Sequence, residues 1–78
     1  MVALIEASIF AEVFIPKRAG YVYWLSYRDG PHEVIYTSYT IINSVVVETT
    51  EERRAFDGDT RFNDAREDYN QTVKRLLE

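Results

Sequence analysis

The chain of 78 residues has no cysteine, two prolines, three glycines and a single histidine. Without cysteine, neither a disulfide nor a thiolate metal site can supplement the core, and a reducing compartment is weakly favoured. The one histidine, His32, lies in a Pro31-His32-Glu33 context beside Asp29. A catalytic base needs a second group to orient it and a nucleophile to serve. No nucleophile elbow, glycine-rich loop or second histidine is present, so His32 reads as an exposed turn residue and the chain as a non-enzyme.

Long apolar runs are also missing. The first fifteen residues, MVALIEASIFAEVFI, are apolar in character but lack the basic start of a secretory signal, and Glu6 and Glu12 interrupt them. No stretch reaches the roughly 18–20 apolar residues of a membrane helix. A water-soluble, cytoplasmic protein is expected. Asp57-Gly58-Asp59 invites a calcium reading, but an acidic loop of that type needs glycine at its sixth position and a ligand at its fifth, where Arg61 stands. These carboxylates read as a helix breaker and cap, and no metal or cofactor is expected.

What the chain does have is unevenly distributed. Thirteen acids face nine bases, a net charge of −4. Fifteen of these 22 charges fall in residues 48–78, whereas eight of the eleven aromatic residues fall in residues 1–47. Residues 21–47, YVYWLSYRDGPHEVIYTSYTIINSVVV, concentrate the β-branched and aromatic types that fit a pleated, half-buried surface. Asp29-Gly30-Pro31 interrupts this stretch once, as a hairpin reversal does. Pro16 to Gly20 forms an earlier turn, with strands expected at 8–15, 21–28 and 33–42. Asn43-Ser44 then divides Ile42 from a possible short fourth strand at 45–49.

The charged part predicts helices. Thr49 followed by Glu52 has the form of a capping box, which places a short helix at about 50–56. A second helix at about 60–77 carries apolar positions Phe62, Ala65, Tyr69, Val73 and Leu76, the spacing of an amphipathic face. The expected fold is therefore α+β, one domain over residues 1–78: an antiparallel meander of three to four strands packed on a C-terminal helix.

Parity along the strands separates two faces. Ile9, Ala11, Val13 and Ile15 form an apolar line suited to the helix. Phe10, Phe14, Trp24 and Tyr36 then fall on the other face, which one helix of about 27 Å cannot also cover. Either residues 1–7 or the short helix folds over that second face, or it is exposed and marks an interface, for which Trp and Tyr are the favoured types. The expected role is a small protein-interaction module: an inhibitor or regulator docking on a larger protein, for example a phage-type anti-defence protein, or a self-associating subunit, possible homodimer included. The rival is a sheet-based nucleic-acid binder using Lys17, Arg18 and Arg28 with Tyr21, Tyr23 and Trp24. Three bases on an acidic chain make that the weaker reading, since affinity for phosphates scales with the number of cationic contacts.

Overall fold

In the computed structural model residues 7–78 are described. Four strands form one antiparallel sheet in sequence order: β1 (Ala7–Ile15), β2 (Gly20–Tyr27), β3 (His32–Ile42) and β4 (Val45–Phe56). A single 3-10 turn, Pro16–Arg18, links β1 to β2, and one helix, α1 (Arg61–Leu77), ends the chain. The α+β meander expected from the sequence is the observed fold.

Turn chemistry fixes the order. Ala19 at φ 47° and Asp29 at φ 54° supply the left-handed residues of the first two reversals. Asn43 (φ 51°) and Ser44 (φ 66°) are both left-handed and join Ile42 directly to Val45, a two-residue loop whose twist matches its flanking strands. Gly20 is obligatory for a different reason. A Cβ there would stand 2.4 Å from the carbonyl oxygen of Thr37 on the neighbouring strand.

Two expectations fail. The helix anticipated at 50–56 is strand, because β3 runs for 11 residues and β4 pairs along all of it, from Ile42↔Val45 to His32↔Phe56. Ladder bonds to a preformed neighbour outweigh the local preference of a Thr-x-x-Glu motif for a helix start. The second failure concerns faces. A bulge between Ile9 and Ala11 inserts Phe10 as an extra residue and reverses parity on either side of it. Ile9 therefore leaves the line of Ala11, Val13 and Ile15.

The sheet buries one face under α1. Ile15, Val22, Trp24, Val34 and Tyr36 meet Ala65 and Leu76, with Ala11, Val13, Phe56, Tyr69 and Val73 packed around them. The helical stripe read from the sequence is the one that faces the sheet, and Thr72 shares its buried side. Polar groups join the layers beside this core. Arg54 on β4 donates from Nε to both oxygens of Asp68 (2.9 and 3.0 Å) and from Nη2 to Thr72 Oγ1 (2.9 Å). Glu52 accepts from Arg54 Nη1 at 2.8 Å and from Arg75 at 2.6 Å. The result is a slab of 42 × 40 × 15 Å.

Candidate functional site

Register places Trp24 opposite Ala11 and Val34, and Tyr36 opposite Val22, so all of them share the helix-facing side. Trp24 is 4% exposed and Tyr36 is 8% exposed. Phe10, pushed to the same side by its bulge, lies 4.3 Å from the Trp24 ring and 5.4 Å from Phe62 of the helix. Of the four residues expected to form an uncovered patch, three thus belong to the covered side. Phe14 alone lies on the other. Residues in alternate positions tell which face they share within a strand, but not which faces of two strands coincide. Alternation puts Val22 on the side of Trp24 and Val34 on the side of Tyr36, and pairing with Val13 and Ala11 brings that whole line inward.

Among the described residues an uncovered face does exist, with different occupants. Phe14, Tyr21, Tyr23, Leu25, Ile35 and Tyr39 project from it, joined by Ile9. The rings form a connected surface: Phe14 to Tyr21 at 5.1 Å, Tyr21 stacked on Tyr23 at 5.7 Å, and Tyr21 edge-on to Tyr39 at 5.9 Å. Between them lies an open depression of about 340 Å³ whose lining includes Ile9, Leu25, Ile35 and Thr37, with Glu48 and Thr50 at its β4 side. Thr37, at its floor, is only 1% exposed.

The polar groups of this face are segregated. At one end Tyr23 and Tyr39 pair their hydroxyls at 3.3 Å. That bond, followed by burial and by the charges of Glu12 and Glu48, holds the Tyr23 phenol well above its ordinary value. Glu12 stands opposite Tyr23 in register and Glu48 opposite Tyr39. Neither carboxylate takes part in an ion pair among the described residues. At the other end Glu33 is almost fully buried and receives both Arg53 Nε (2.8 Å) and Nη2 (3.2 Å). The guanidinium, aided by the Tyr27 hydroxyl, holds the Glu33 carboxyl below the usual carboxylate range despite its burial. The open face therefore presents tyrosine and aliphatic carbon bordered by two unpaired acids at one end and a neutralised pair at the other.

The paired strands β3 and β4 also outrun the rest of the sheet. β2 starts at Gly20 opposite Ser38, so residues 39–42 and 45–48 extend beyond it as a two-stranded arm. Ile41 (73% exposed), Ile42, Val45 and Val46 make this arm apolar on both sides. An arm of this composition stands out against the charged helix.

The other candidate residues are dispersed. His32 opens β3 on the helix side, where its Nδ1 accepts a hydrogen bond from Trp24 Nε1 at 2.9 Å. Burial and the charge of Arg61 depress its protonation, which suits the acceptor role. It is a partly buried structural residue, not the exposed turn residue expected. Lys17 and Arg18 sit in the turn before β2, and Arg28 follows its far end, so the strand separates them by about 26 Å at 3.3 Å per residue. Lys17 reaches the carbonyl of Glu78 at 3.4 Å. Trp24 faces away from Tyr21 and Tyr23, and the basic-aromatic cluster suggested by the sequence is not assembled. Of residues 1–7, considered above as cover for the second face, 1–6 lie outside the described residues and Ala7 begins β1.

Comparisons with protein-family models, curated proteins and solved structures find no match to this chain. Among the described residues, no helix is long and apolar enough to cross a membrane.

Proposed function

We propose that this chain is a non-enzymatic protein-interaction module, an inhibitor or regulator that docks its tyrosine-bearing sheet face on a larger protein. The observation that carries the reading is the segregation of that face. Among the described residues, a single helix covers one side of the sheet, while the other side carries contiguous tyrosine and aliphatic surface with charge only at its margins. Surfaces of this kind mark interfaces, and tyrosine supplies contact area at low conformational cost. Glu12 and Glu48 select the partner's chemistry: an apolar surface bearing a Lys or Arg that reaches the Tyr23–Tyr39 end, where acids that form no ion pair among the described residues complement it.

The test is quantitative binding by wild type against Tyr21→Ala, Tyr23→Ala and Glu12→Lys, after a partner has been isolated on immobilised wild-type chain and purified. Each tyrosine variant should keep its fold by circular dichroism and weaken binding at least tenfold. Glu12→Lys should slow association and reduce the salt dependence. A partner bound equally by wild type and all three variants would exclude this face. Nucleic-acid binding finds less support, because the bases needed lie at opposite ends of β2.

A further inference from the structure

The outer edge of β4 carries a second recognition surface, built on backbone groups and sharing Glu48 and Thr50 with the margin of the tyrosine face. An edge strand offers unpaired N–H and C=O groups to any matching strand. β4 is 12 residues long and exposed through its first seven. Which of its amides point outward follows from its pairing. A two-residue loop makes Ile42 and Val45 a hydrogen-bonded pair, so β3 residues 42, 40, 38 and, by alternation, 36, 34 and 32 turn their amides towards β4. The amide of Tyr39, the opposite parity, donates to Ala19 on the β2 side at 2.9 Å, as this requires. The outward residues of β4 are therefore Val46, Glu48 and Thr50 before the bulge and Arg53 and Ala55 after it. The bulge lies between Thr50 and Glu52, where Glu51 has no partner on β3.

That bulge switches parity midway along the strand. Val46 and Glu48 (even) and Arg53 and Ala55 (odd) consequently project their side chains to the same, open face. We propose that two copies of this chain pair antiparallel along β4, with Val46 opposite Ala55 of the second copy and Glu48 opposite Arg53 of the second copy, to form one continuous eight-stranded sheet. Because Glu51 is bulged out of the ladder, this register places Thr50 opposite Thr50 of the second copy, with the two-fold axis through that pair. Like faces meet, outward amides meet outward amides, and each copy supplies both members of the charge pair, as an isologous contact demands. About ten backbone hydrogen bonds would form, two at each of the five narrow pairs. Each Glu48 gains the guanidinium that Glu33 already positions, and Val45 comes to lie beside Phe56 of the second copy.

Neighbouring registers fail on charge. A shift of two ladder positions in one direction sets Glu48 against Thr50 and Val46 against Arg53, so the charge pair is lost. The opposite shift sets Glu52 against Glu52 of the second copy and leaves Glu48 facing Ala55. Like charges directly opposite destabilise a ladder, whereas unlike ones support it. The register is thus selected by the order Val-Val-Val-Glu-Thr-Thr-Glu-Glu-Arg-Arg-Ala-Phe itself.

Light scattering on wild type over about 1–500 μM, a range suited to a small interface, should show the mass rising from 9.1 kDa towards twice that value. Glu48→Pro removes an outward N–H and the carboxylate without touching a β3–β4 bond, so it should remain folded and monomeric. Glu48→Arg, which needs no backbone change, should weaken association at least tenfold. The chain has no cysteine of its own, so Val46→Cys with Ala55→Cys reports the register: hydrogen-bonded pairs have Cα atoms about 5.5 Å apart, within disulfide reach. Oxidation should give a covalent dimer with the double variant and none with either single variant. Wild type that stays monomeric throughout, a double variant that does not cross-link, or Glu48→Pro and Glu48→Arg that associate like wild type would each overturn the proposal. Because Glu12→Lys leaves the β4 edge intact, it should dimerise normally, and failure at the edge leaves the docking of the tyrosine face standing.

Discussion

The two faces of the sheet are built from similar residue types but arranged to opposite ends. Beneath the helix, Val22, Val34 and Ile15 are fully buried and Trp24 nearly so, with Trp24 satisfied by His32 and the perimeter closed by Arg54, Glu52 and Asp68. On the other face Tyr21, Tyr23 and Tyr39 contact chiefly one another and stay half-exposed. Phe10 and Trp24 of the first face pack against rings of the helix, whereas the rings of the second have no layer above them among the described residues. Aromatic content alone therefore does not locate a core. What separates the faces is whether the polar atom of each ring finds a partner beneath a cover or beside another ring at the surface.

The largest expected effect tests that contrast directly. Trp24→Ala removes a buried ring packed against Phe10, Phe62 and Tyr69 and strips His32 Nδ1 of its donor. It should cost about 3–5 kcal/mol, the range for large aromatic truncation in a core. Tyr23→Ala on the open face should cost about 1 kcal/mol or less, as partly exposed positions do. Chemical denaturation of both variants measures the difference. Equal losses would mean that the open face is as integral to the fold as the covered one.

The ease of reading these faces from the sequence differed for physical reasons. The meander was legible because its reversals are chemically marked, at Asp29-Gly30 and Asn43-Ser44. The helix was legible because Phe62, Ala65, Tyr69, Val73 and Leu76 repeat at helical spacing. The second half of β4 was hidden, since Glu52 and Arg54, which face the helix side with Phe56, are charged residues whose partners, Asp68, Thr72 and Arg75, are distant in sequence. The bulges at Phe10 and Glu51 were equally invisible, and each reverses inside and outside for the residues beyond it. That is why an uncovered aromatic face could be anticipated while three of its four expected members, Phe10, Trp24 and Tyr36, lay beneath the helix.

A smaller effect concerns the one strongly buried charge of the open face. Glu33 has its carboxyl lowered by Arg53 first and by Tyr27 as well, against the opposing effect of burial. A carboxyl with a depressed folded-state value binds fewer protons folded than unfolded. Its contribution is therefore complete above the unfolded value of about 4.5 and is lost as pH falls below it. Thermal unfolding from pH 7 to pH 3 should show this acid limb, and Glu33→Gln should flatten it. Glu52, lowered by Arg75 and then Arg54, adds a parallel loss from the covered side. A Glu33→Gln profile that coincides with wild type would assign the acid sensitivity to the helix-facing network alone.

The smallest expected effect lies at the Tyr23–Tyr39 pair. Its hydroxyl contact, more than burial, raises the Tyr23 phenol, so the folded chain retains a proton that the unfolded chain releases. The folded state then binds more protons than the unfolded state, and stability must fall as pH rises through the ordinary phenol value of 10.0. Tyr39→Phe removes the partner hydroxyl while keeping the ring that closes the edge contact with Tyr21. At neutral pH it should change stability by less than about 0.5 kcal/mol, since a partly exposed hydroxyl regains water. Above pH 10 the two proteins should diverge, wild type losing more with each step, as followed by phenolate absorbance during titration. Parallel curves would mean that the hydroxyl pair does not set the proton affinity of this surface, and that its tyrosines act on a partner as separate rings.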